Sequence, residues 1–199
     1  DIFKLLKILI KMNRKIKNII VALLTSSISF AQNLTLDTSI SSLKWTGKEL
    51  STNEHYGSLV FKSGNLILKD NKPLKGKFVV DMTSLKNLDL PEDYRPKLEG
   101  HLKSDDFFSV SKFPEAYLEM ESSTKRSENN FEIKGSLTIK EIKHPITFTL
   151  SNNDDNWEAN LVFDRSKYDV RFRSGSFFEN LGDKLIYDDI VVETKLVFK

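Results

Sequence analysis

The chain has 199 residues, of which 39% are hydrophobic, and it contains no cysteine. This length suits one domain with a sizeable core, and the absence of cysteine excludes both disulfides and a lipidated cleavage site. The formal net charge is +2, from 30 Lys+Arg and 28 Asp+Glu, but six of these cations and one acid lie within residues 1–31, which leaves 24 against 27, or about −3. This balance argues against a basic surface for nucleic acid.

The first 31 residues predict an upstream extension followed by an export leader. Residue 1 is not Met, so we expect translation to start at Met12 and residues 1–11 to be an extension, with a basic amphipathic anchor as the alternative. A cationic stretch follows Met12, then a short apolar run interrupted by serines and threonines, then the small-x-small site that ends at Ala31. This pattern is typical of a cleavable signal peptide at residues 12–31 and predicts a periplasmic protein, since the run is short for a membrane span.

From Gln32 onward, hydrophobic residues recur at every second position. Segments such as AYLEMES (116–122), FEIKGSLTIK (131–140) and WEANLVF (157–163) alternate strictly, which predicts half-buried antiparallel strands. Turn-forming compositions separate them at KSGN (62–65), KDNKP (69–73), SENN (127–130) and SNNDDN (151–156). About eight strands are expected, in an all-β sandwich or an up-and-down barrel.

Two segments interrupt the alternation. Residues 85–113 carry Pro91 and Pro96, and PKLEGHLKS (96–104) predicts a short helix. Residues 165–189 are likewise too long for a hairpin turn. Loops of this length within a compact domain usually carry function or cover something, so both segments are candidates for the functional end of the fold.

Three segments, in order, resemble the YceI-like family of exported proteins. They are LEGHLKSDDFFSVSKFPEAYLE (98–119), GSLTIKEIKHPITFTL (135–150) and FDRSKYDVRFRSGSFFENLGDKLIYDDIVV (163–192), preceded by LKWTGKEL (43–50). The resemblance covers most of Leu36–Phe198 and departs from the family pattern at Glu141, where many members have glycine. It implies an extended lipocalin-like eight-stranded antiparallel barrel over residues 32–199, with a short helix and long-loop insertion.

The resemblance also implies a function, which is to bind, sequester or carry an isoprenoid or similar amphiphilic lipid in an apolar tunnel. An isoprenoid quinone or a polyprenyl lipid is the expected ligand, no other cofactor is expected, and transient membrane contact and a homodimer are compatible with the family. The residues expected to contact the ligand are the inward-facing apolar side chains of the strands and two phenylalanines of the first long segment: Leu59, Phe61, Phe78, Val80, Met82, Phe107, Phe108, Leu118, Met120, Phe131, Ile133, Leu137, Ile139, Phe148 and Trp157.

The second long segment supplies candidates for the polar headgroup of such a ligand. Arg165, Tyr168, Arg171 and Arg173 lie there, and arginine offers a planar fork of donors. The alternative is that these arginines pair with acids on the barrel wall.

No residue pattern indicates catalysis or a metal site. Asp105 and Asp106 are adjacent, so their side chains diverge by about 100° on a helix and point to opposite faces on a strand, which suits capping or bonds to Arg or Lys better than a shared proton. His55, His101 and His144 are far apart in sequence and show no metal-ligand spacing. We therefore expect a binding protein; a lipid-directed hydrolase or isomerase, and a stress-related barrel without a ligand, remain the alternatives.

Overall fold

The computed structural model of the chain describes Lys4 and residues 31–50, 54–153 and 155–199. The predicted upstream extension (1–11) and signal peptide (12–31) lie outside the described residues, apart from Lys4 and Ala31. Residues Ala31–Lys199 form one compact unit. Within the described ranges, no helix has both the length and the apolar character needed to cross a membrane.

The compact unit is built from antiparallel strands and one α-helix. The strands are β1 (Ala31–Thr35), β2 (Ser42–Lys48), β3 (Glu54–Lys69), β4 (Lys72–Asn87), β5 (Glu115–Lys125), β6 (Asn130–Ile139), β7 (Ile142–Asn153), β8 (Asn156–Asp164) and β9 (Asp189–Leu196). The helix α1 (Arg95–Lys103) lies between β4 and β5, and 3-10 helices occur at Arg165–Tyr168 and Gly182–Lys184. Helix α1 confirms the predicted helix, and a proline in its first turn suits a position whose amide has no partner within the helix.

The strands from β2 to β9 close into an eight-stranded barrel. Each pairs with its neighbours in chain order, and β9 pairs back onto β2, where Trp45 lies opposite Val192. Strand β1 is additional, because it continues beyond β2 along the same edge of β3 and places Leu34 opposite Leu66. The all-β, eight-stranded antiparallel barrel predicted from the sequence is therefore confirmed.

One predicted turn is wrong. The KSGN segment at 62–65 does not reverse the chain, because β3 runs through it with register shifts at Ser58/Val60 and Phe61/Ser63. The glycine there marks a close approach instead, since a Cβ on Gly64 would lie 2.7 Å from the Phe78 ring. The other three predicted turns connect β3 to β4, β5 to β6 and β7 to β8.

The barrel has two different ends. The turn end carries the three short connections just named, between β3 and β4, β5 and β6, and β7 and β8. The cap end carries both long segments, and they pack on one another through a second hydrophobic cluster that contains Trp45, Leu85, Leu102, Phe107 and Val170. The long segments thus cover one end of the barrel, as their length led us to expect.

Candidate functional site

The barrel encloses a cavity of about 320 Å³ that extends from its middle to the cap end. Val80, Leu118 and Val192 point inward and line this cavity, yet they are only partly buried. Side chains of a filled barrel would be fully covered by their neighbours. These inward-facing residues therefore border an unfilled space inside the barrel.

Most of the predicted contact residues line the cavity. These are Leu59, Phe61, Phe78, Val80, Met82, Phe107, Phe108, Leu118, Met120, Leu137, Ile139 and Phe148. Phe131, Ile133 and Trp157 do not line it: the Phe131 and Trp157 rings are 5.9 Å apart, and Ile133 is completely buried. Alternation identified their inward face correctly, but it does not show which inward residues pack against one another and which border the cavity.

Other lining residues were not among the predicted contacts. Some continue inward faces that the alternation had shown, and others come from the two long segments, which have no period: Leu43, Trp45, Leu85, Leu98, Leu102, Ala116, Leu150, Ala159, Leu161, Phe163, Phe172, Ile186, Ile190 and Leu196. The signal for the first group lay in β2, β5, β7, β8 and β9. Only the tertiary fold brings the second group to the cavity.

A cluster of three rings, His101, Phe107 and Phe172, lies at the cap end of the cavity. The His101 ring on α1 meets the Phe172 ring edge-on at 4.4 Å, and both lie beside Phe107, at 5.2 and 5.6 Å from its ring. Phe107 and Phe108 pack against the barrel and line its interior. Two loops and a helix thereby share one apolar cover.

The adjacent carboxylates beside these phenylalanines have separate partners. Lys112 donates to Asp105 at 2.7 Å and lowers the pKa of that carboxyl, whereas Asp106 lies 3.6 Å from the His101 Nε2 atom. Both carboxylates are exposed. Asp105 pairs with a lysine across the loop, as expected, whereas Asp106 lies beside an imidazole, and the two carboxylates do not form a shared-proton pair.

Two of the four headgroup candidates are buried outside the cavity. The Arg165 side chain is fully buried, and its guanidinium donates to three backbone carbonyls of the second long segment and lies 3.2 Å from Asp188. Tyr168 is also buried, and burial raises its pKa to about 12. Neither residue faces a ligand, because each is already used to hold the cap in place.

The other two candidates differ from each other. Arg171 is exposed and pairs with Asp169. Arg173 is partly buried and lines the cavity, and its guanidinium carbon lies 5.0 Å from the centre of the Phe172 ring. Among the described residues it has no acidic partner. Arg173 is therefore the candidate that the structure places at the cavity with its charge available.

The remaining charged or imidazole side chains of the lining also lie at the cap end. They are Lys48, Glu49, His55 and His101. The three histidines show no metal-ligand spacing in the sequence, but His55 shares the inward face of β3 with Leu59 and Phe61, and this alternation was the available signal for it. In the described part of the chain, no group of three potential ligands is arranged to hold a metal ion.

These features define a closed antiparallel β-barrel with an apolar cavity whose described charged and imidazole side chains all lie at one end. The sequence profile of the YceI-like domain family matches residues 34–198 of the chain. The protein thus belongs to the YceI-like domain family, which confirms the resemblance seen in its sequence motifs.

Individual relatives are distant. A UPF0312 protein of Enterobacter sp. strain 638 is 23% identical over 143 residues, which is 70% of this chain and 72% of that protein. Among solved structures, Burkholderia cenocepacia BcnA is similar with a TM-score of 0.62 and 18% identity, covering 81% of this chain and 98% of BcnA. A polyisoprenoid-binding domain from Saccharophagus degradans, implicated in plant cell wall breakdown, has a TM-score of 0.55 at 12% identity, covering 83% and 97%. At these identities the similarity establishes the fold.

Proposed function

We propose that this protein binds an amphiphilic lipid with an isoprenoid or similarly long apolar tail. The observation that carries the proposal is the cavity, whose lining is mostly apolar and has its charged and imidazole side chains at the cap end. Such a lining suits a tail that enters first and a headgroup that stays beside Arg173 and His101. An isoprenoid quinone or a polyprenyl lipid has this form.

The energetics favour a long tail. Burial of each methylene contributes about 0.8 kcal/mol, so a tail of several five-carbon prenyl units offsets an association cost of roughly 4–15 kcal/mol. The cavity volume of about 320 Å³ lies at the lower end of the range for drug-sized ligands. The polyisoprenoid-binding relative from Saccharophagus degradans supports the same ligand class.

The lining supports binding rather than turnover. Among its described residues, the side-chain hydroxyls belong to Tyr117 and Thr194. Tyr117 donates to Glu115, and Thr194 donates to the Ala159 carbonyl at 3.2 Å. Both hydroxyls are thus engaged by the barrel wall, and neither is presented as a nucleophile.

The proposed site of action is the periplasm. The leader features that precede Gln32 support export, and the apolar cargo gives a reason for a carrier in an aqueous compartment. Fractionation of cells that express the full chain, with N-terminal sequencing of the product, should give a periplasmic protein that begins at Gln32. A product that keeps its leader in the cytoplasm would contradict this.

Native mass spectrometry tests the binding proposal. The full chain is expressed in an exporting host, purified gently and then extracted with organic solvent. Val80→Trp places a large ring inside the cavity, whereas Val162→Trp places the same ring on the outer face of β8, where Val162 is 53% exposed. We expect a stoichiometric lipid adduct on the wild type and on Val162→Trp, and none on Val80→Trp at an unchanged Tm.

Tryptophan fluorescence gives a second readout. Trp45 lines the cavity, whereas Trp157 lies in the packed core near the turn end. A prenyl quinone should therefore quench Trp45 in a Trp157→Phe variant much more than it quenches Trp157 in a Trp45→Phe variant. If the extract contained no lipid and neither tryptophan were quenched, the proposal would be wrong.

A further inference from the structure

A histidine–aspartate pair forms part of the cavity rim at the cap end. His55 is on the inward face of β3, and its cross-strand partner on β2 is Gly47. On the other side, Gly57 pairs with Asn87, so the same register places Asp89 opposite His55 just beyond the end of β4. The His55 Nδ1 atom lies 2.7 Å from the Asp89 Oδ2 atom.

The aspartate is held firmly in place. The Asp89 Oδ1 atom accepts from the backbone amide of Tyr56 at 2.9 Å and from the side-chain amide of Asn87. Asn87 is only 1% exposed. The backbone amide of Asn87 donates to Glu99 on α1 at 2.9 Å. Burial opposes ionisation of Asp89, but the hydrogen bonds from His55, Tyr56 and Asn87 hold the pKa of its carboxyl below the usual value.

This arrangement fixes the chemical character of the imidazole. A carboxylate only accepts hydrogen bonds, so in the neutral ring the proton lies on Nδ1 and Nε2 keeps its lone pair. Nε2 makes no hydrogen bond to any residue in the described part of the chain. The ring lines a mostly apolar cavity, where an unmatched acceptor favours a ligand that donates to it.

There is also room beside the ring. Gly47 has no side chain, and a Cβ at that position would meet only the Ile190 Cδ1 atom, at 3.3 Å. Apart from that methyl group, no heavy atom lies within 4 Å of the position. This leaves space for a small polar group of a ligand next to His55.

We propose that His55, oriented by Asp89, accepts a hydrogen bond from a hydroxyl group on the head of the bound amphiphile. The site thereby selects an alcohol or phenol over the corresponding ether or hydrocarbon. This inference rests on the proposed lipid-binding function and adds the chemical class of the headgroup. A site built to pair with a hydroxyl disfavours an analogue that lacks it, because its buried polar group is then left unpaired.

A matched pair of probes tests this directly. Farnesol and farnesyl methyl ether share one tail and differ only at the oxygen, where a methyl group replaces the hydroxyl hydrogen. Both are titrated into the full chain and followed by the fluorescence of Trp45. We expect the wild type to bind farnesol about tenfold more tightly than the ether, the size of one net hydrogen bond.

Variants assign the preference to the pair. His55→Leu should reduce the affinity ratio to about one without weakening ether binding, and Asp89→Asn should reduce it several-fold. His55→Gln, which keeps an acceptor, should retain part of the preference. His144→Leu is the control, since His144 contacts the Lys167 carbonyl and does not line the cavity.

The outcomes separate the two proposals. Equal binding of both probes by the wild type would overturn the hydroxyl site and leave the lipid-binding function intact. No binding of either probe would overturn the lipid-binding function itself. Recovery of chemically altered farnesol would show that the pair acts as a base on the ligand, which would also overturn the inference. If His55→Leu does not fold, the ratios of His55→Gln and Asp89→Asn decide the matter.

Discussion

The two ends of the barrel are built from the same alternating strands but have different interiors. Towards the turn end, Leu66 and Ile133 are completely buried and the Phe131 and Trp157 rings lie 5.9 Å apart. Towards the cap end, inward residues such as Leu118 border a cavity. An alternating pattern therefore gives a strand one apolar face. It does not decide whether the side chains of that face pack against one another or line a cavity.

Backbone approach explains the filled end. A Cβ on Gly64 would lie 2.7 Å from the Phe78 ring, and one on Gly76 would lie 2.7 Å from the Met120 sulfur. Leu36 directly follows β1, and its backbone amide donates to the Gly64 carbonyl at 2.9 Å. Its side chain lies next to Gly64 and fills more of the same space. Phe78 and Met120 also line the cavity, so both close approaches occur at its boundary.

The largest test of the comparison is to release the cap. Arg165→Met removes the guanidinium that holds three carbonyls and leaves Asp188 without its buried cation, so we expect a loss of about 3–5 kcal/mol in the free energy of unfolding. Urea denaturation measures the loss. Arg171→Met is the matched control, and we expect a change below about 1 kcal/mol because that ion pair is exposed. Equal effects would mean that Arg165 does not hold the cap.

A pair of truncations compares the two interiors. Ile133→Ala opens a cavity in the filled end and should cost about 2–5 kcal/mol in the free energy of unfolding. Leu118→Ala only enlarges an existing space and should cost less than about 2 kcal/mol, while weakening the binding of a prenyl tail. Calorimetric unfolding and a lipid titration of both variants give the comparison. The difference between the two interiors would be contradicted if Leu118→Ala were as destabilising as Ile133→Ala.

The smallest expected effect concerns the hairpin turns at the two ends. At the turn end, Asp70 and Asn71 have positive φ angles of 51° and 58°; at the cap end, Lys140 and Glu141 have 51° and 62°. Asparagine tolerates this conformation better than glutamate does. Glu141→Gly should therefore stabilise the protein by up to about 1 kcal/mol, and Asn71→Gly by less. Thermal unfolding resolves the difference, and a larger gain at Asn71 would contradict it.

Much of this structure was predictable because it is local. The alternation predicted strands β5 to β9, the proline-flanked PKLEGHLK run predicted α1, and KDNKP predicted the β3–β4 turn. The single strand that spans KSGN was missed, because a serine–glycine pair has the same composition in a turn as in a bulge. Strand β1 was also missed, since its five residues show no complete alternation.

The candidate site was predictable only in part. Phe107 and Phe108 were placed at the cavity on the strength of a motif, and Arg173 was one of four equal candidates. Nothing in the sequence distinguished Arg173 from Arg165, because the burial of Arg165 depends on carbonyls of residues 170, 186 and 187 that only the folded loop brings together. His55 was overlooked for the same reason, since its partner Asp89 is 34 residues away.

The sequence by itself determined which residues face inward, because side chains of a strand alternate whatever the strand is paired with. It also determined the family, through motifs that survive in order along the chain. Only the tertiary structure decided how high along the barrel each inward residue lies, which residues touch, and that one end is filled while the other is hollow. Those properties depend on strand register and on the close approach of distant segments, and neither is encoded in a period of two.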